Sequence, residues 1–321
     1  MQLNREDLLK AYKGMCLIRS FEDRVHDEFA TGELPGFVHL YAGEEASAIG
    51  VCMHLSDQDS IASTHRGHGH CIAKGCDVNA MMKELFGKKE GICGGKGGSM
   101  HIADLKKGML GANGIVGGGP PLVCGAALSA KIKKTGNVSV CFLGDGASNQ
   151  GTTAESINMA SVLKLPAIFV VEDNGFAEAT SSSYSVGGDI VKRGEAYGLH
   201  SEKVDGTDFF AVYQAAKEAI ERARKGEGPS LLYVKINRIY AHYEGDALTY
   251  RLQEETDEIK NNRDPIRIFK KKVLESGLLE GDQLDEIEEK TKNEIDQAVK
   301  DSKVADFPTE KDLLTDVYVK Y

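Results

Sequence analysis

Hydrophobic positions along the chain follow two different patterns, a helical spacing and short continuous runs. Residues 5–30 carry apolar side chains at mixed three- and four-residue spacings, which predicts a long amphipathic helix. Further along, short and mostly apolar runs cover residues 138–143, 167–172 and 230–236. Short continuous runs of this kind predict strands that are buried on both faces, as in parallel sheets.

Helical patterns separate and follow these strands. Residues 125–133, 147–163 and 209–225 have the composition and spacing of helices. Strands that alternate with helices indicate an α/β fold with a doubly wound, mostly parallel sheet. The prediction is completed by an N-terminal helix and a C-terminal helical tail.

A glycine-dense segment interrupts this pattern. Residues 87–119 contain 12 glycines, which is too many for a regular helix or a central strand. We therefore expect this segment to be loop. A loop of that length inside a compact domain usually has a function.

The chain changes character at Arg251. From there to the end, 13 basic and 19 acidic residues account for −6 of the total net charge of −10. Apolar residues recur there at helical spacings, at Ile266, Phe269, Val273, Leu274, Leu284 and Ile287. We expect residues 1–250 to form one α/β domain and residues 251–321 a charged helical extension packed on it.

Composition narrows the possible functions. The 321 residues are 41% hydrophobic and 27% charged, which is ordinary for a soluble globular protein. The acidic net charge argues against nucleic acid or an anionic membrane as a partner. The chain has no apolar run approaching the ~18 residues of a membrane span, and its start does not resemble a signal peptide. Seven irregularly spaced cysteines favour reduced thiols and a cytoplasmic location.

Polar residues follow two neighbouring strands of the predicted sheet. Asp145 comes just after the strand at 138–143, and Asn174 just after the strand at 167–172. The carboxyl ends of parallel strands meet at one edge of a sheet, so we expect these side chains to lie close together. A carboxylate and a carboxamide offer oxygen ligands to Mg²⁺, which usually retains phosphate oxygens as well. The flanking Gly144 and Gly146 let the backbone approach a diphosphate.

The segment from Gly144-Asp145-Gly146 to Asn174 resembles the thiamine diphosphate motif. The surrounding residues are similar to the alpha subunits of 2-oxo acid and acetoin dehydrogenase complexes, from about residue 8 to 267. Two further blocks carry this resemblance, Gly94-Gly95-Lys96-Gly97-Gly98-Ser99-Met100-His101 and Asn113-Gly114-Ile115-Val116-Gly117. One position departs from the motif, because Asp173 stands where the family has its first Asn. The role of Asp173 stays open.

The resemblance implies a thiamine diphosphate-binding fold, with thiamine diphosphate and Mg²⁺ as cofactors. It assigns Mg²⁺ to Asp145, Asn174 and the backbone carbonyl of Phe176. It assigns cofactor binding to His39, His65, Arg66, Gly114, Val116, Gly146, Ala147, Asn174, Arg238 and His242. Among these, His242 and His65 are the expected catalytic residues, because a neutral imidazole can relay a proton to the substrate oxygen.

A different interpretation exists for the segment that contains His65, His68 and His70. Three histidines within six residues are possible zinc ligands. No carboxylate or thiolate stands at a supporting spacing, and the intervening glycines do not build a helix face with paired histidines. We therefore favour, over a zinc site, the position beside the cofactor that the resemblance implies for His65.

Substrate and partners follow from the resemblance alone. Residues 178–181 and 242–251 are similar to the members that act on acetoin. These cleave it to acetaldehyde and a two-carbon unit for a lipoyl-bearing acyltransferase. Two alternatives remain, a pyruvate or branched-chain 2-oxo acid subunit and a noncatalytic nucleotide-binding module. For the nucleotide-binding module, the absence of a Gly-x-Gly-x-x-Gly after the first core strand disfavours a dinucleotide site.

The family pattern also predicts that the chain is incomplete as an enzyme. The resemblance places the activating Glu on a separate beta subunit, with the cofactor between the chains of an α2β2 assembly. Glu44 and Glu45 are candidates within this chain, but the pattern favours their opening a helix, where acidic residues complement the dipole.

Overall fold

A computed structural model describes residues 3–318 of the chain. The strands are β1 (Ser60–Ala62), β2 (Met109–Gly111), β3 (Ser139–Gly144), β4 (Ala167–Asp173), β5 (Phe176–Ala177), β6 (Thr180–Ser181), β7 (His200–Asp205) and β8 (Ser230–Lys235). Six of them form one sheet in the order β2-β1-β3-β4-β8-β7, and every neighbouring pair in it is parallel. Strands β5 and β6 form a separate antiparallel hairpin.

Helices lie on both faces of this sheet. They are α1 (Arg5–Ala30), α2 (Glu45–Cys52), α3 (His68–Ala73), α4 (Val78–Leu85), α5 (Gly119–Lys133), α6 (Gly151–Val162), α7 (Ser182–Ser185), α8 (Ile190–Ala196), α9 (Phe209–Arg224), α10 (Gln253–Asn262), α11 (Pro265–Glu275) and α12 (Gly281–Val304). Short 3₁₀ helices cover Ser99–His101, Leu105–Lys107, Ala147–Asn149 and Glu310–Asp312.

The sheet separates two hydrophobic cores because side chains alternate along a strand. Val140 and Phe142 of β3 belong to the core that also contains buried residues of α1, α2, α9 and α12. Cys141 and Leu143 belong to the other core, which contains residues of α5, α6 and α8. Both faces are covered, so the prediction of a doubly wound α/β fold is confirmed.

The two ends of the chain pack against each other. Helix α1 begins with a capping box in which Asn4 and Asp7 bond each other's backbone N–H groups. Helix α12 packs along α1 and α4 and buries Leu284, Ile295 and Val299. The tail is helical as expected, while the division at residue 250 stays a prediction. No helix within residues 3–318 is both long enough and apolar enough to cross a membrane.

Three predicted elements need correction. The segment 87–119 is not loop throughout, because it contains strand β2 and two 3₁₀ turns. Helix α5 begins at Gly119 rather than at residue 125, since Pro120 has the fixed φ that suits a first helical turn. The helix expected over 147–163 is split, because Gln150 is extended (φ −72°, ψ 140°) between a 3₁₀ turn and α6.

The strands missed by the hydrophobic pattern have simple reasons for being missed. Strands β1 and β2 are three residues each, too short to show a period. Strand β7 pairs only with β8 in the sheet order, and its sequence is mostly polar. An edge strand exposes one side to water, so it need not be apolar.

Candidate active site

A cavity of about 350 Å³ lies at the carboxyl ends of β3 and β4. Asp145 directly follows β3, Asn174 directly follows β4, and both line the cavity. Ligand sites of doubly wound sheets lie at this edge, outside the carboxyl ends of the strands. Both residues thus lie at one edge of the sheet, and their shared role as metal ligands stays a prediction.

Asp145 is an incompletely satisfied buried carboxylate. It is buried, and its Oδ2 has no hydrogen-bond partner within residues 3–318. Burial first, and then the negative charge of Asp173, raises the pKa of Asp145 to about 6. A buried carboxylate oxygen without a donor is suited to a cation.

Asp173, the residue that departs from the motif, does not line the cavity. Its carboxylate is hydrogen-bonded to other residues of the chain. Its Oδ2 accepts hydrogen bonds from Tyr233 Oη at 2.6 Å and from Lys235 Nζ at 2.8 Å, and its Oδ1 from Gly175 N at 2.7 Å. Burial opposes the charge of Asp173, but its bonds to Lys235 and Tyr233 outweigh burial and lower its pKa. The charge that Asp adds in place of Asn is thus balanced by Lys235.

Three histidines from distant parts of the chain face one another in the cavity. The ring centroids of His39 and His65 lie 4.6 Å apart, those of His39 and His242 5.1 Å, and those of His65 and His242 5.2 Å. Burial and the charge of Arg66 lower the pKa of His39 to about 3, of His65 to about 2 and of His242 to about 4. All three imidazoles are therefore neutral near pH 7.

Two arginines lie against this histidine cluster. Arg66 lines the cavity, and its guanidinium donates to the backbone oxygens of Leu40 and His242. Arg238 is buried behind His242 and does not itself line the cavity; its Nη2 donates to Tyr250 Oη at 2.8 Å. His242 Nδ1 lies 3.5 Å from Arg66 Nη2 and 3.3 Å from Arg238 Nη1.

The histidines of the 65–70 segment do not form one metal site. His68 turns into the protein, between Glu22 at 2.9 Å and Ser99 at 2.9 Å. His70 contacts Ser63 at 2.7 Å and Glu172 at 3.2 Å. Only His65 faces the cavity, and the zinc interpretation of this segment has no support in the structure.

The described residues do contain one group of three possible metal-binding side chains, made of His39, His65 and His242. One ligand atom from each lies within 4.8 Å of the others. The adjacent guanidinium groups of Arg66 and Arg238 carry positive charge, which opposes a divalent cation at this point. We therefore treat the group as a set of neutral imidazoles.

The predicted backbone-contacting residues also reach the cavity. Gly114, Val116, Gly146, Ala147 and Phe176 all line it. A Cβ added at Gly146 would lie 2.8 Å from the Cβ of Ala177. Because Gly146 has no side chain, its backbone can pack against Ala177 and still line the cavity next to Asp145. All predicted site residues except Arg238 are thus brought to one cavity, and their roles stay predictions.

Two buried carboxyl groups on the cavity wall, Glu44 and Glu172, are not among the predicted site residues. Glu44 stands just before α2 and bonds Asn174, and burial raises its pKa to about 8. Glu172, near the end of β4, accepts from Tyr41 and Ser47 and contacts His70. A charged residue at the end of an apolar strand was the available signal for Glu172. Glu44 was a candidate carboxylate in the sequence, but its pattern favoured a helix start.

Glu45, the neighbour of Glu44, has a structural place. Its carboxylate accepts from Arg19 at 2.7 Å and from the backbone N–H of Gly43 at 3.0 Å. Arg19 in turn bonds Asp264 of the C-terminal tail at 2.9 Å. The expectation that an acidic residue opens α2 is confirmed for Glu45, which is the first residue of the helix.

Sequence comparison adds the family to this geometry. The family model described as "Dehydrogenase E1 component" matches residues 13–311. The chain belongs to the dehydrogenase E1 component family. This E1 chain is thus an oxidoreductase component, and the noncatalytic alternative is set aside. Membership of the family implies thiamine diphosphate as its cofactor.

Relatives cover this E1 chain from end to end. It is 56% identical to the subunit alpha of acetoin:2,6-dichlorophenolindophenol oxidoreductase from Cupriavidus necator, over 100% of this chain and 97% of the relative. The protein of the same description from Bacillus subtilis is also 56% identical, over 100% and 96%. The pyruvate dehydrogenase E1 component subunit alpha of Rhizobium meliloti is 37% identical, over 98% and 91%.

Proposed function

We propose that the chain is the alpha subunit of an acetoin dehydrogenase that uses thiamine diphosphate and Mg²⁺. The observation that carries this proposal is the cavity in which Asp145 and Asn174 face three neutral imidazoles. The choice of acetoin is supported by the descriptions of the two relatives at 56% identity, against 37% for the pyruvate dehydrogenase subunit.

The residues present fit a metal-bound diphosphate. Asp145 Oδ2 is a buried oxygen with no partner among the described residues, and Asn174 supplies an amide oxygen nearby. With the carbonyl of Phe176 they make a set of oxygen donors, which is the set that Mg²⁺ prefers. Asp145, Asn174 and Phe176 would hold the metal ion, and Gly146 and Ala147 the diphosphate. Arg66 and Arg238 would add positive charge near the diphosphate.

Gly114, Val116 and the histidine cluster would surround the organic part of the cofactor. When bound, the cofactor would supply a carbon nucleophile for a carbonyl substrate. The chain itself orients the reactants and controls protons. His242 Nδ1 lies between two guanidinium donors, so its neutral ring carries the proton on Nε2. From there it can donate to a substrate oxygen.

The two arginines near the cavity already have hydrogen-bond partners within the chain, which suits an uncharged substrate. The guanidinium groups of Arg66 and Arg238 bond backbone oxygens and Tyr250. The proposed reaction cleaves acetoin to acetaldehyde and a two-carbon unit that passes to the lipoyl group of an acyltransferase core. Acetoin has no carboxylate, so it needs no further cation beside His242.

We propose a beta subunit as the partner that completes the site. Ile115 and Val116 border the cavity with 72% and 53% of their surfaces exposed. Apolar residues exposed at a cavity rim are typical of a surface that another chain covers. The relatives are described as alpha subunits, which supports the same partner. By the family resemblance, this partner supplies the activating Glu and the assembly is α2β2.

A substrate panel tests this proposal. The chain is co-expressed with its beta subunit and assayed with acetoin, pyruvate and branched-chain 2-oxo acids, using dichlorophenolindophenol as electron acceptor. We expect the highest kcat/KM with acetoin and no turnover by the chain alone. Preference for a 2-oxo acid would assign the chain to the pyruvate or branched-chain group. Equal turnover without the beta subunit would refute the shared site.

A further inference from the structure

Glu44 stands at the beginning of α2 but does not cap it. The structure gives its side chain no hydrogen bond to the first turn of the helix. Instead, Glu44 is 2% exposed and its Oε1 accepts a hydrogen bond from Asn174 Nδ2 at 3.1 Å. Nearby charges on other elements are Arg66, Arg238 and Glu172. The Glu44 side chain thus forms part of the cavity wall and does not cap the helix.

The opposite atom of the same carboxamide is also held. The backbone N–H of Phe176 donates to Asn174 Oδ1 at 3.2 Å. Rotating the carboxamide by half a turn would set its NH₂ group against the N–H of Phe176 and its oxygen against Glu44. The N–H of Phe176 would then meet a second donor, and the Glu44 oxygen that now accepts from Asn174 would meet another acceptor. The two hydrogen bonds therefore select one orientation.

This orientation decides whether Asn174 can bind a cation. An amide oxygen is a metal ligand, whereas an amide NH₂ has no free lone pair for a hard cation. In the selected orientation the NH₂ group is occupied by Glu44, and Oδ1 retains a second acceptor position.

We propose that Glu44 is a positioning residue for the metal site, which holds the Asn174 carboxamide with its oxygen available as a ligand. This inference rests on the proposed function, because it requires that Asn174 binds a metal ion. Partners that orient metal ligands are typically worth about 10- to 100-fold in metal affinity. The role needs only an acceptor oxygen on residue 44, so a carboxamide there should serve as well as a carboxylate.

The test measures metal binding directly in the assembled α–β enzyme with thiamine diphosphate present. Mn²⁺ replaces Mg²⁺, and free Mn²⁺ is followed by electron paramagnetic resonance. Glu44→Ala should weaken Mn²⁺ binding about 10-fold or more. Glu44→Gln should retain most of the wild-type affinity. Ile49→Ala, a control that removes a buried side chain from the same helix away from the cavity, should leave Mn²⁺ binding unchanged.

A second pair of variants separates orientation from simple packing. Asn174→Asp places two equivalent oxygens at the metal ligand position, so its orientation no longer matters. In that background Glu44→Ala should not weaken Mn²⁺ binding. A purely structural role for Glu44 would produce the same loss in both backgrounds.

Four results would overturn the inference while leaving the proposed function intact, and the first three involve Glu44 directly. They are wild-type Mn²⁺ affinity in Glu44→Ala, an equal loss in Glu44→Gln, and an equal loss in the Asn174→Asp background. An equal loss in Ile49→Ala would likewise assign the effect to the stability of α2. Failure of the wild-type enzyme to bind Mn²⁺ with thiamine diphosphate would instead refute the proposed function itself.

Discussion

Replacing His39 with Asn should make the fold less sensitive to acid. His39 is buried in the cavity wall, and its Nδ1 has no hydrogen-bond partner within residues 3–318. Burial, followed by the charge of Arg66, lowers the pKa of His39 from its usual 6.5 to about 3. The unfolded chain therefore takes up a proton at this residue well before the folded chain does.

The sign and size of the effect follow from that difference. Above pH 6.5 the imidazole is neutral in both states and contributes no pH dependence. As the pH falls below 6.5, only the unfolded state gains the proton, and the free energy of unfolding drops by about 1.4 kcal/mol per pH unit. Between pH 8 and pH 4.5 the loss from His39 alone is about 2.7 kcal/mol.

Urea unfolding of the purified chain from pH 8 to pH 4.5 provides the assay. The difference in free energy of unfolding between His39→Asn and wild type should shift in favour of the variant by about 2.7 kcal/mol across this range. Val38→Ala is the control, because Val38 is also buried but has no titratable group. Its difference from wild type should stay constant with pH.

Parallel curves for His39→Asn and wild type would refute this reasoning. Such a result would mean that His39 has the same pKa in both states and that burial and Arg66 do not disfavour its charged form. A direct reading of the His39 pKa by NMR with ¹³C-labelled histidine would then give a value near 6.5.

Three further predictions concern packing, charge and assembly. Gly69→Ala should lower the free energy of unfolding by about 1–3 kcal/mol or more, because the new Cβ would lie 2.0 Å from Tyr41 Cδ1. Gly125→Ala, where the new Cβ meets nothing within 4 Å, should raise it by about 0.5–1 kcal/mol in the same urea experiment. Asp173→Asn should cost about 1–3 kcal/mol at pH 7, because Lys235 loses the carboxylate charge that balances its own. Unchanged stability would contradict this charge balance. The chain without a beta subunit should show no acetoin turnover, and full activity of the chain alone would exclude the shared site.

Chain connectivity explains why the central part of the site could be predicted. Asp145 and Asn174 each follow a strand that is visible as an apolar run, and parallel pairing of β3 and β4 places both at one edge. The prediction needed only the handedness and direction of a strand–helix–strand unit. The shared position of Asp145 and Asn174 at one sheet edge could therefore be predicted from the sequence.

Contacts between distant segments could not be predicted in this way. Glu44 and Asn174 are joined by a hydrogen bond across 130 positions, and no periodicity relates them. The spacing of His65, His68 and His70 likewise does not tell which way each side chain points; the structure turns two of them into the protein. These features depend on tertiary packing, which a pattern of polar and apolar residues does not specify.

The proposed function depends above all on Asp145 and Asn174 forming a metal-dependent site for thiamine diphosphate. The most direct measurement is a calorimetric titration of the assembled enzyme with thiamine diphosphate, with and without Mg²⁺, in wild type and Asp145→Ala. We predict that the wild type binds thiamine diphosphate only with Mg²⁺, and that Asp145→Ala does not bind it. Equal binding without metal, or wild-type affinity in Asp145→Ala, would contradict a metal-dependent cofactor site at Asp145 and Asn174.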